Sequence, residues 1–218
     1  MSVFHDITAV IYDLDGTIID TDQLHLDAWK YTGTRFGFEV TAKQLSALKG
    51  LSSKKTLEAL LSPEQQEIIP EASEVKFQYL LDHLKEVPIL GNFLEAYQSL
   101  TSHNVPVGVC TSARQAFVEG IMKNVPALSI LEGKVVWKEM FREGKPSAEP
   151  LLTTLERMEI TAPQSAVYVG DGYSDYGSAL NAGMPFVYFC PRERDARVPS
   201  AIPVISDHRE LLPYLGLP

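Results

Sequence analysis

The sequence predicts an α/β fold, a doubly wound parallel sheet with an all-helical segment inserted after its first strand. Short apolar runs at Ala9 to Tyr12, Val105 to Cys110 and Ala166 to Val169 alternate with amphipathic stretches, the pattern of right-handed crossovers between parallel strands. Each run ends at polar residues, namely Asp13, Thr111 and Gly170-Asp171. No β-branched run interrupts residues 20–87, where one helical pattern follows another. The expected division is a core of residues 1–19 and 88–218 with a helical domain of residues 20–87.

Taken in order, Ala9 to Tyr12 is a β-rich apolar run of the kind buried on both faces of a parallel sheet. It delivers Asp13 and Asp15 to the carboxyl end of the strand, the edge at which open α/β sheets bind ligands. Gly16 permits the turn that follows. Helices are expected from Thr21 to about Phe38, with a cap at Asp20, Thr21 or Asp22, then over Ala42 to Leu48, Lys54 to Leu61, Pro63 to Ile69 and Ala72 to Glu86. Pro63 and Pro70 punctuate them.

A turn at Pro88 to Gly91 leads to a helix capped by Asn92 and ending near Ser102. After Val105 to Cys110 come a helix from Gln115 to Lys123, a short strand near Lys134 to Trp137, a turn at Gly144-Lys145-Pro146 and a helix from Glu149 to Met158. Ala166 to Val169 precedes a helix that Gly183 stops. Phe186 to Phe189 and Val204-Ile205 are further strands, Pro191 to Pro199 is an exposed loop, and Asp207 caps a last helix to about Tyr214.

Composition narrows the function. A chain of 218 residues with 45% hydrophobic and 22% charged content can bury a sizeable core and is an ordinary soluble protein. The absence of a long apolar run and of a basic, apolar leader predicts a cytoplasmic protein that does not enter a membrane. A net charge of -9 argues against nucleic acid and against an anionic membrane surface. Of the two cysteines, Cys110 lies inside an apolar run and Cys190 at the end of another, so both are expected as buried strand thiols and no disulfide framework is expected.

The chemistry-bearing residues converge on one edge: Asp13 with Asp15, Thr111 with Ser112, Lys145, and Asp171 with Asp175. A calcium loop starting at Asp13 fails on spacing, since Ile18 and Leu24 occupy its glycine and glutamate positions. Singly these residues are turns and caps; together, on these elements, they suit phosphoryl transfer. A carboxylate that attacks an anionic phosphoryl group needs a divalent ion, and Mg2+ takes carboxylates, waters and phosphate oxygens, so Asp13 and Asp171 can supply ligands with Asp175 holding the ion or its waters. Asp15 can serve as acid and then base. Thr111 offers a hydroxyl and Lys145 a fixed positive charge to the phosphoryl oxygens.

At these positions the chain resembles the haloacid dehalogenase superfamily, whose four motifs match D-L-D-G-T, Thr111, Lys145 and G-D-G-Y-S-D. The resemblance spans nearly the whole chain and implies a Rossmann-like core with residues 20–87 as a helical cap. It implies a phosphoric monoester hydrolase, with Asp13 as the nucleophile that forms an aspartyl-phosphate, Asp15 as acid and base, and Mg2+ held by Asp13, the Asp15 carbonyl and Asp171 with Asp175 in support. Family members that remove halides lack an acid where this chain has Asp15.

L-D-G-T-I-I-D-T-D-x-L-H-x-x-A-W and L-K-G-L-S further resemble the branch that includes β-phosphoglucomutase and related phosphatases, and that likeness covers His25, Trp29, Lys49 and Gly50. His25 and Trp29 share a helix face, suited to packing or to orienting substrate and Asp15. Lys49 and Gly50 in a cap loop, Ser112, and Arg114 just past the second motif are the further substrate-binding candidates. Ser53 stands where the mutase carries an arginine, although Lys54 and Lys55 follow, and Gly170-Asp171 with Asp175 replaces the mutase's Glu-Asp. Both departures favour hydrolysis of a small phosphorylated metabolite over a phosphosugar mutase, in a monomer or small homo-oligomer. A non-catalytic binding protein is disfavoured, because an unused cluster of like charges only costs stability.

Overall fold

The computed structural model describes residue 4 and residues 6–48, 51–84, 87–191 and 194–218. Its strands are β1 (Ala9–Tyr12), β2 (Val107–Cys110), β3 (Val135–Val136), β4 (Ala166–Gly170), β5 (Phe186–Phe189) and β6 (Val204–Ile205). They form a parallel sheet in the order β3-β2-β1-β4-β5-β6, with β1 at its centre. Its register sets Tyr12 beside Val109 on one side and Val169 on the other, so Asp13, Thr111 and Asp171 leave the sheet along the same edge.

The sheet is wound on both faces because its side chains alternate. Val10, Tyr12, Val107, Val109, Val167, Val169, Val187 and Phe189 enter one apolar cluster. Ala9, Ile11, Cys110, Ala166, Tyr168, Phe186 and Tyr188 enter a second. Helices α5 (Phe93–Ser102), α6 (Gln115–Asn124) and α9 (Leu211–Tyr214) cover the first, whereas α7 (Glu149–Arg157) and α8 (Tyr173–Ala182) cover the second. Gly183 ends α8 in the left-handed region at φ 67°, as the glycine stop signal requires.

The segment between β1 and α5 is helical: α1 (Asp22–Phe36), α2 (Ala42–Ala47), α3 (Ser53–Leu60) and α4 (Ile69–Asp82), with Pro63–Ile68 a tighter 3-10 turn rather than an α-helix. It closes on its own cluster of Trp29, Leu57, Leu61, Ile69 and Ala72. The far end of α4 joins the sheet instead, since Leu80 and Leu84 pack into the first cluster beside α6. Two antiparallel crossings lead in and out, tied by Asp20 N–H to the Pro88 carbonyl (2.9 Å) and Leu90 N–H to the Ile18 carbonyl (2.8 Å).

Several boundaries depart from the sequence reading. Strand β2 begins at Val107, not Val105, because Pro106 has no N–H for the ladder and the Val105 N–H turns back to the Leu100 carbonyl. Helix α4 begins at Ile69, which places Pro70 inside its first turn, where a missing N–H goes unnoticed. Asn92 stands at the start of α5 without capping it by its side chain: the residue is left-handed, at φ 54°, and its amide donates to Asp207 Oδ2 at 2.6 Å. Asp207 does cap the turn that follows, accepting from Arg209 N–H at 2.9 Å. Among the described residues no helix is long and apolar enough to cross a membrane.

Candidate active site

The edge beyond β1, β2 and β4 concentrates charge in a small volume. Lys145, on the loop before α7, places Nζ 2.5 Å from Asp13 Oδ1 and 2.7 Å from Asp175 Oδ1. Its peptide bond to Pro146 is cis, and α8 holds the segment through Ser178 Oγ on the Ser147 carbonyl (2.7 Å) and Asn181 Nδ2 on the Pro146 carbonyl (2.8 Å). Burial alone would lower the lysine pKa, but Asp13 and Asp175 outweigh it and hold the group above its ordinary value. The ammonium is therefore permanent.

Asp175 spends its oxygens on the protein. Oδ1 accepts from Lys145 and from the Tyr168 hydroxyl at 2.8 Å, and Oδ2 from Gly172 N–H at 3.0 Å. Asp13 is less encumbered: Oδ1 takes Lys145, while Oδ2 has no hydrogen-bond donor among the described residues. Burial raises the Asp13 pKa well above the carboxylate range, Lys145 opposes this, and Asp175 and Asp171 add to it.

Ligand oxygens of Asp13, Asp171 and Asp175 lie within 4.8 Å of one another. Such a convergence of carboxylate oxygens suits a divalent cation. Gly16, at φ +82°, is what lets the backbone come this close: a Cβ there would sit 2.3 Å from Asp171 Oδ2.

Thr111 is buried at the end of β2, and its hydroxyl oxygen accepts from Ala113 N–H at 3.0 Å. That bond fixes the oxygen and leaves its hydrogen to donate towards the edge. Ser112 beside it is exposed.

Asp15 belongs to a different set of contacts. Its Oδ1 accepts from the Thr21 hydroxyl at 2.9 Å and lies 3.9 Å from His25 Nε2. Thr21, at the cap position of α1, thus serves Asp15 rather than the helix, while Asp20, another of the expected caps, accepts from the Asp22 N–H at 3.2 Å. His25 Nδ1 is 2.8 Å from Lys76 Nζ, and because an ammonium only donates, Nδ1 accepts and Nε2 carries the proton that faces Asp15.

Burial and the neighbouring Lys76 charge both push the His25 pKa down. Burial would raise Asp15, but His25, the Thr21 hydroxyl and Lys76 prevail and leave it below its ordinary value. Lys76 is itself buried, 5.0 Å above the Trp29 ring, and burial pushes its pKa down to about 8.

Sequence reasoning missed Lys76. The signal was its register on α4: Ile69, Ala72, Lys76 and Leu80 form the buried stripe, and a lysine in an apolar stripe is an exception that asks for a function. Trp29 and His25 do share a face, as their spacing predicts, and Lys76 bridges them.

The structure pairs Arg114 with the helical segment. Its guanidinium pairs with Glu74 on α4 at 2.8 Å and lies 4.2 Å over the Phe77 ring, fastening α6 to the helical segment. Lys49 and Gly50 lie outside the described residues. Ser52 caps α3 by accepting from Lys55 N–H at 3.3 Å, and Lys54 is an exposed partner of Glu58 at 3.7 Å.

The profile of the haloacid dehalogenase-like hydrolases matches residues 10–189, from β1 to the end of β5. The chain belongs to that family. Among relatives of this hydrolase, β-phosphoglucomutase of Bacillus subtilis is 26% identical over 188 residues, covering 81% of this chain and 80% of the relative. Phosphoglycolate phosphatase of Escherichia coli is 28% identical over 248 residues, covering 100% of this chain and 96% of the relative. Among solved structures, CbbY from Rhodobacter sphaeroides in complex with phosphate superposes with a TM-score of 0.80 at 19% identity, covering 97% of the hydrolase and 100% of CbbY.

Proposed function

We propose that the chain is a cytoplasmic, Mg2+-dependent phosphatase that hydrolyses a small phosphate monoester, a sugar phosphate or a phosphoglycolate-like ester, through an aspartyl-phosphate on Asp13. We take residues 20–87 as its cap and the remainder as its catalytic core. The observation that carries this reading is the edge cluster, in which Lys145 joins Asp13 to Asp175 and ligand oxygens of Asp13, Asp171 and Asp175 converge within 4.8 Å.

Asp13, Asp171 and the Asp15 carbonyl would hold the ion, with Asp175 in support. When bound, Mg2+ offsets the repulsion between the Asp13 carboxylate and an anionic phosphoryl group. Asp13 Oδ2, the oxygen with no donor among the described residues, attacks phosphorus, and the bond to the leaving oxygen breaks. Thr111 Oγ1–H and Lys145 Nζ–H donate to phosphoryl oxygens as charge develops on them.

Asp15 delivers a proton to the leaving oxygen and then removes one from the water that splits the acyl phosphate. The two roles ask for opposite protonation states. Without ligand, His25, Thr21 and Lys76 favour the carboxylate, which suits the base. An anionic ester beside it raises its pKa and supplies the acid form.

A second reading, a phosphosugar mutase with the same chemistry, draws on the buried cation Lys76, which offers the helical side of the site an anion partner. One assay separates them. Phosphate release is measured from sugar phosphates, phosphoglycolate and nucleoside monophosphates, with and without Mg2+. Release from one or a few esters, abolished by chelation, is expected. Interconversion of hexose 1- and 6-phosphates, on addition of a bisphosphate primer and without net release, replaces it with the mutase. Silence in both assays contradicts both readings.

A further inference from the structure

His208 takes no part in the chemistry above, yet it is wholly buried beneath the crossings that carry it. It sits on the 3-10 turn His208–Glu210 after β6. Its ring stacks on Phe189 with centroids 4.3 Å apart and planes within 3°, and meets Tyr12 and Phe93 edge-on at 5.3 and 5.6 Å. A phenylalanine would fill that aromatic box.

What the imidazole adds is directional. Nε2 lies 2.9 Å from the Thr17 carbonyl, and a carbonyl only accepts, so Nε2 carries the proton. Nδ1 then has no partner among the described residues, a cost that packing alone does not explain. Burial pushes the His208 pKa down to about 4, so the ring stays neutral and the tautomer is set by Thr17.

The same residue holds the other crossing, since its backbone N–H donates to the Gly91 carbonyl at 2.7 Å. Thr17 is two residues past Asp15 in a turn closed by Ile18 and Ile19 N–H on the Leu14 carbonyl at 2.9 and 3.0 Å. The flanks of His208 are fastened as well, by Asn92 to Asp207 at 2.6 Å and Arg209 to Glu95 at 3.0 Å. One rigid residue thus ties the incoming and the outgoing chain to the sheet, at the turn that bears the acid.

We propose that His208 is a positioning residue for catalysis: by clasping both crossings it fixes the Asp15 turn, so that the acid is aimed at the leaving oxygen. The proposal rests on the phosphatase reading. It makes a claim that a stability role does not, because in the phosphoryl-transfer step only esters whose leaving group needs a proton depend on the aim of Asp15.

The test compares alkyl phosphates (glucose 6-phosphate, fructose 1-phosphate and phosphoglycolate) with acetyl phosphate, whose acetate leaves without protonation. It uses the full chain with Mg2+. His208→Phe keeps the stack and loses the donor. It is expected to lower the single-turnover rate of leaving-group release from the alkyl esters about 10- to 100-fold while changing that from acetyl phosphate less than about threefold, the selectivity expected of Asp15→Asn in stronger form, since the water-activating role of Asp15 enters only after that step.

His208→Gln, which carries an amide donor, recovers most of the alkyl rate. If His208→Phe does not fold, His208→Met against His208→Gln makes the same comparison. Equal losses on both ester classes, no loss on either, or no advantage of Gln over the donor-less variant overturns the proposal. A parent protein that turns over acetyl phosphate and an alkyl ester confirms the reading beneath it, whereas one that releases phosphate from neither overturns that reading first.

Discussion

On the sheet edge two carboxylates, Asp13 and Asp175, share one ammonium and a third, Asp171, lies beside them; on the helical side one carboxylate, Asp15, meets a threonine hydroxyl and an imidazole backed by a buried ammonium. On the proposed reading the first half is completed by a divalent cation. The second half pays for a lysine kept in apolar surroundings. The difference separates two tasks: holding an anion against a nucleophile needs an added cation, whereas passing a proton back and forth needs a carboxyl whose neighbours can tip it either way.

The largest effect is expected at the metal-facing half. Asp171→Asn removes one negative charge from the cluster and should lower turnover about 1,000-fold, with partial recovery at high Mg2+, read as phosphate release against Mg2+ concentration. A loss that no Mg2+ concentration relieves, in a variant with unchanged Mg2+ affinity, would break the assignment of this half as the ion site.

The helical half predicts a trade between function and stability. Lys76→Met should cost about 10- to 100-fold in turnover. Folding brings the lysine from its ordinary 10.5 to about 8, so between those values the unfolded chain binds more protons and stability rises with pH. Below that window the full penalty applies. Lys76→Met should therefore be more stable than the parent at neutral pH by about 1–3 kcal/mol, a gain that fades as pH rises through the window. Denaturant melts at several pH values check it. A variant less stable at every pH would mean that the His25 contact outweighs the desolvation.

The smallest effect is expected where the halves are fastened. The Arg114–Glu74 pair is largely exposed and should contribute less than about 1 kcal/mol, so Arg114→Ala and Glu74→Ala should shift kcat/KM alike and by less than about fivefold. A KM raised about 100-fold in Arg114→Ala alone would return the arginine to the substrate, as its place after the second motif suggests.

The two halves were also unequally legible in the sequence. Asp13, Thr111 and Asp171 follow apolar strands directly, and a parallel sheet forces strand ends onto one edge, so local pattern sufficed. Lys145 and Asp175 were placed by motif order, and the structure joins them through one ammonium. Lys76 is 51 residues from His25, and His208 is 191 from Thr17. Contacts of that separation are decided by packing, not by periodicity. The sequence showed an amphipathic helix around Lys76 but not which charged residue lay on its buried stripe. Arg114 shows the converse: its position next to the second motif was visible, and its partner Glu74, 40 residues earlier within the insertion, was not.

The measurement closest to the central claim is covalent trapping on Asp13. The full chain with Mg2+ is mixed with acetyl phosphate, quenched in acid within one turnover and digested for mass analysis. One phosphoryl group is expected on the peptide that carries Asp13, absent in Asp13→Asn, whose fold by circular dichroism is unchanged and whose turnover is abolished. Turnover by an unphosphorylated parent, or retained activity in Asp13→Asn, would contradict the account.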